Sequence, residues 1–151
     1  MSSVAAGHPP GSRGGRHDEA CRNLDRAELA LCEAAASVDD ARRYVCAHIA
    51  ALRVAAAVLA VRTRPQSLRR QSNAWVLLEQ VAPELCEWAA FFAAGAAKRA
   101  AAEAGRSRVV SAREADDLVR DVTQFVGVVE RLLGLTRSPA PGSMPVSRAA
   151  S

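Results

Sequence analysis

The chain has 151 residues, half of them apolar, with 20 basic against 16 acidic side chains and a net charge of +4. Alanine dominates at 33 copies, Lys98 is the lone lysine among 19 arginines, isoleucine occurs once and threonine three times. That is apolar material for a single core; it excludes a wholly disordered or collagen-like chain, and the shortage of β-branched and aromatic residues excludes an all-β domain.

Met1 to His17 is rich in Gly, Pro, Ser and Arg and lacks the apolar stretch of a secretory signal. It is expected to be a disordered tail. The longest charge-free apolar runs, Val54 to Val61 and Ala89 to Ala97, fall well short of a bilayer's thickness. A cytoplasmic protein without a membrane association is expected. Cys21, Cys32, Cys46 and Cys86 form no C-x-x-C pair and read as buried free thiols. Cys46 and His48 are close in sequence, but residues two apart on a helix do not face one ligand. Neither a metal nor a cofactor is expected.

The first helix is predicted over about Asp18 to Ala36, from the stripe Cys21, Leu24, Glu28, Leu31 and Ala35. Ser37 and Asp40 read as a capping signature for a second helix over about Val38 to Thr63. Its stripe is Val38, Ala41, Val45, His48/Ile49, Leu52, Ala56 and Leu59, and Pro65 ends it. Arg64 to Gln71 is a basic loop. A third helical stretch covers Asn73 to Ala104, with the seam Leu78, Val81, Leu85, Trp88, Phe92 and Gly95/Ala96. Pro83 lies inside it and either bends the helix or splits it in two. Gly105 is a C-terminal stop. Ser111 with Glu114 forms a capping box that opens a last helix to about Leu135. The stretch 136–151 is again expected to be a disordered tail. The predicted fold is all-α: an antiparallel up-and-down bundle of four to five helices over residues 18–135. The alanine-rich faces let helix axes approach closely but bury little area, so a homodimer is expected.

Charge falls in blocks. Residues 41–78 carry seven arginines and no acid, and 98–113 carry five basic residues and Glu103. The remaining core blocks, 1–40, 79–97 and 114–135, are each net −3. Arg62, Arg64, Arg69 and Arg70 surround the loop. An up-and-down bundle would bring Arg99, Arg106 and Arg108 to the end that holds Arg42 and Arg43. Such arginines can hold phosphate bidentately, as in RNA. The alternative is that they pair with neighbouring acids, for example Arg53 with Glu84 or Glu87. No RNA-binding sheet motif or Gly-rich phosphate loop is present, so sequence-specific base reading is not supported.

Arg42 and Arg43 precede His48 by six and five positions. This is the R-x4–6-H signature of the HEPN (higher eukaryotes and prokaryotes nucleotide-binding) superfamily. The stretches AHIAALRVAAAVLAVR, SNAWVLLEQVAPELCEWAAFFAAGAAKRAAAEAG and SAREADDLVRD also resemble a small actinobacterial HEPN subfamily named after a Streptomyces avermitilis (SAV) member. The resemblance covers roughly residues 20–135. It implies a small helical bundle, often dimeric. In many members it also implies a metal-independent ribonuclease, sometimes a toxin, whose site is completed by a second chain. By that resemblance His48 would move the proton of a 2′-hydroxyl or of the leaving oxygen, and Arg42 or Arg43 would stabilise charge on the phosphate. Five or six helical positions turn roughly 140° or 240°, so neither arginine shares a face with His48. The other readings are a core histidine placed opposite Trp88, and a non-catalytic interaction module that docks a protein partner.

Overall fold

The computed structural model describes residues 13–64, 73–106 and 108–136. Among them every regular element is helical. The helices are α1 (Arg13–Ala36), α2 (Asp40–Arg62), α3 (Ala74–Val81), α4 (Cys86–Ala94), α5 (Ala96–Glu103) and α6 (Ala112–Leu133), with a 3-10 turn at Pro83–Leu85. They form the expected all-α bundle, but the third helical stretch is not one column: the chain reverses at Pro83, and α3 folds against α4 so that Trp75 stacks on Phe92 at 5.1 Å.

Side-chain contacts give the helix directions. Arg43 near the start of α2 bonds Asp116 near the start of α6, so those two helices run parallel. Trp75 at the start of α3 lies beside His48 and the Val81 carbonyl at its end accepts from Arg62 at the end of α2, so α3 runs parallel to α2; after the turn, where Glu84 pairs with Arg62, α4 and α5 run back to bring Gly95 against Tyr44. The helix α2 is central: it packs against α1, α3, α5 and α6. The α1 and α2 helices both bury alanines. Ala47, Ala51 and Ala55 of α2, like Ala20, Ala27 and Ala34 of α1, are fully buried, and small side chains allow the axes to approach closely.

By length and composition α2 could cross a membrane. The charge-free runs alone did not suggest this, because Arg53 interrupts them. In the fold its apolar residues are mostly buried against the other helices, the ordinary position of a central helix.

The helix ends follow local chemistry. Asp39, rather than Ser37, caps α2, its carboxylate accepting from Arg42 N–H at 3.2 Å. Asn73 caps α3 by accepting from the Trp75 and Val76 N–H groups. Pro83 ends α3 and occupies the first position of the following turn, where its missing N–H costs nothing. Ser111 and Glu114 make the full reciprocal capping box. Gly105 has φ +73°, and the Arg106 N–H reaches back to the Ala101 carbonyl at 3.3 Å, closing α5.

Two boundaries differ. Val38, read as the first stripe residue of the second helix, precedes the Asp39 cap and is 94% exposed. The helix α1 begins at Arg13, ahead of the predicted Asp18. Its first turn has no apolar residue to mark a period. His17 Nδ1 does donate there to the Arg13 carbonyl at 3.0 Å. Residues 1–12 and 137–151, with most of the basic loop, lie outside the described residues.

Candidate functional site around His48

His48 sits midway along α2 and is 1% exposed. Its Nε2 lies 3.0 Å from the Phe92 carbonyl oxygen. A carbonyl only accepts, so Nε2 carries a proton. Nδ1 is buried without a hydrogen-bond partner. The ring lies edge-on to Trp75 (centroids 6.1 Å, 90°) and to Phe92 (6.4 Å, 83°), with Tyr44 at 6.5 Å. Burial pushes the imidazole below its ordinary pKa of 6.5, and the Arg99 charge pushes the same way. The Phe92 bond and the Glu103 charge oppose them.

The neighbour is Trp75, where counting along an unbroken third helix gave Trp88. The chain reverses at Pro83, so the start of α3 comes back to the middle of α2 and brings Trp75 to His48. Trp88 instead stacks on Phe92 at 6.0 Å and on Phe125 at 5.1 Å.

Above His48 lies a half-open cavity of about 250 Å³, lined by Tyr44, His48, Phe91, Phe92, Ala94, Gly95, Lys98 and Leu118. Gly95 is what lets α2 and the α4–α5 junction meet here. A Cβ at that position would come within 3.0 Å of the Tyr44 hydroxyl and 3.5 Å of His48 Nε2. Tyr44 is 7% exposed, and burial raises its pKa, with Lys98 lowering and Glu114 raising it in smaller measure. At the rim, Lys98 Nζ lies 2.5 Å from Glu114 Oε1. The bond raises the lysine pKa and, with the Ser111 N–H, lowers that of the carboxylate. Phe91 is half exposed at the cavity's lip. Sequence reasoning passed over Tyr44, Gly95 and Lys98 as site residues. The usable signal was a glycine inside an alanine helix.

The arginines divide into several groups. Arg42 is exposed. Arg43 is anchored: it donates to Asp40 and Asp116 at 3.1 Å each and to the Ser37 carbonyl at 2.9 Å. The cation that acts on His48 is Arg99, whose Nε is buried without a partner. Arg106 and Arg108 do arrive at the start of α2. There they line a cavity of about 400 Å³ together with Asp39, Asp40, Ala41, Ala102, Gly105, Val109 and Val110. Arg108 holds φ +68°, a left-handed backbone uncommon for a side chain of its size. Arg62 pairs with Glu84 and donates to the Val81 carbonyl, taking the acid proposed for Arg53. Arg64 is exposed, while Arg69 and Arg70 lie outside the described residues.

Among the described residues no group of three His, Cys, Asp or Glu side chains could hold a metal ion. The four thiols are free, but only Cys46 is buried, while Cys32 and Cys86 are exposed.

The model of the SAV_6107-like HEPN family matches residues 34–130, from the end of α1 through nearly all of α6. The chain belongs to that family, as its sequence resemblance implied. Neither a curated protein nor a solved structure matched it.

Proposed function

We propose that this chain is a non-catalytic HEPN module that works through its outer helix surfaces, not through His48 chemistry. One observation carries the reading: the imidazole is 1% exposed, and its Nε2 proton is committed to the Phe92 carbonyl. A general base must meet the proton that it takes, directly or through one water. Here Nε2 has no lone pair to offer and Nδ1 is buried. Of the two arginines of the sequence motif, Arg43 already has three acceptors within 3.1 Å.

The test is cleavage of mixed RNA in EDTA by the full chain, beside His48→Gln. Glutamine can still donate to the Phe92 carbonyl and cannot act as the base. The expected result is equal, background cleavage by both. Metal-independent cleavage that disappears in His48→Gln would establish the ribonuclease and end this reading.

RNA association without cleavage is a second reading, favoured by Arg106 and Arg108 gathering at the start of α2. The acids Asp39 and Asp40 line the same cavity and weaken the local positive field. Filter binding across a salt series is expected to show weak retention. Arg106→Ala with Arg108→Ala would reduce both the retention and its salt slope.

A further inference from the structure

We infer that the half-open cavity above His48 binds a small aromatic carboxylate, whose ring lies among Tyr44, Phe91 and Phe92 and whose anionic end meets Lys98 and the Tyr44 hydroxyl. Such a site lies beyond the reading of an interaction module and asks no chemistry of His48.

The cavity lies where α2, the α4–α5 junction and α6 meet. Tyr44 comes from α2, Phe91, Phe92 and Lys98 from α4 and α5, and Leu118 from α6. Gly95 leaves the space beside the Tyr44 hydroxyl unfilled, because a Cβ there would stand 3.0 Å from it. The volume of about 250 Å³ limits the ligand. An apolar cavity of about 150 Å³ already admits benzene, whereas pockets for drug-sized ligands begin near roughly 300 Å³. The space between those limits suits one ring with a short substituent. The walls are themselves rings. Phe91 and Phe92 meet edge to face, with centroids 5.2 Å apart at 70°, and Tyr44 adds a third. An aromatic ligand gains from such walls beyond the area that it buries.

The polar groups select the other end of the ligand. The neighbouring acceptors are engaged. The Phe92 carbonyl accepts from His48 Nε2 at 3.0 Å and from the Gly95 N–H at 3.1 Å. Glu114 accepts from Lys98 at Oε1 and from the Ser111 N–H at Oε2. Donors are left over. The Lys98 ammonium has three, and its bond to Glu114 uses one. The Tyr44 hydroxyl has no hydrogen-bond partner among the described residues. Burial raises its pKa, so it keeps its proton at neutral pH. Unused donors on an ammonium group and a phenol, at the mouth of an aromatic cavity, complement a carboxylate carried on one ring.

Titration of the full chain with benzoate, followed by proton–nitrogen NMR, tests this. Saturable shifts are expected at the amides of Gly95, Lys98 and Leu118, with half-saturation at about 1 mM. Benzyl alcohol keeps the ring without the charge and should bind about tenfold more weakly. Acetate lacks the ring and benzylamine reverses the charge; neither should give saturable shifts there. Lys98→Met should weaken benzoate binding about tenfold, and Tyr44→Phe about threefold. Ala94→Trp, at an exposed position of the lining, covers the cavity with an indole and should abolish binding, with unchanged helix content by circular dichroism. If Lys98→Met or Tyr44→Phe loses helix, Ala94→Trp decides. A wild type without saturable shifts, shifts centred away from the cavity, acetate or benzylamine binding as well as benzoate, or full benzoate affinity in a folded Lys98→Met overturns the inference.

Discussion

At the scale of the residue, His48 makes a prediction with a definite sign. Its pKa is lowered in the folded state, chiefly by burial. The unfolded chain therefore binds the proton more readily. This contribution to stability is full above the ordinary value of 6.5 and is lost as pH falls through it toward the folded pKa. Urea midpoints should drop between about pH 7.5 and pH 5.5, and the drop should be smaller in His48→Gln. His48→Ala also removes the donor to the Phe92 carbonyl and leaves a void, so a loss of about 2–4 kcal/mol is expected by urea unfolding at neutral pH. Gly95 gives a second test. In a helix, alanine is normally better than glycine by roughly 0.5–1 kcal/mol. Here the new Cβ would press on the Tyr44 hydroxyl at 3.0 Å. Gly95→Ala should destabilise the wild type by about 1 kcal/mol. In a Tyr44→Phe background, with that hydroxyl gone, the same change should stabilise.

At the scale of the element, what was legible from sequence was whatever local chemistry determines. The Ser111–Glu114 box, the Gly105 stop and the break at Pro83 all appear where their backbone requirements predict. Ser111→Ala should cost about 1 kcal/mol and fray the first turn of α6, measurable by hydrogen exchange there. The stripe that put His48 beside Val45 and Leu52 also anticipated that it faces inward. The start of α1 was not legible, because Arg13 to His17 offers no apolar period and its helix extends one already formed. The identity of the neighbour of His48 was not legible either. It depends on the chain reversing at Pro83 so that α3 packs against α4, which no local pattern specifies. The role of Gly95 was hidden for the same reason: its missing Cβ matters only once Tyr44 and His48 arrive from α2.

At the scale of the whole molecule, α2 is the helix around which the others are arranged, and the aromatic cluster closes over its middle. Phe92 joins Trp75 and Phe125 at 5.1 Å each and supplies the carbonyl that holds His48. Phe92→Ala should therefore cost about 3–5 kcal/mol in urea unfolding and free the imidazole together. The family's arginine–histidine spacing is present, but packing turns its histidine into a support for the bundle. The long-range proton–nitrogen NMR spectrum of the His48 ring, assigned against His48→Gln and followed over pH, tests this most directly. A neutral ring protonated at Nε2, silent as pH falls through 6.5 while the chain stays folded, is the predicted result. A ring that takes up its proton near that value in the folded protein would contradict it.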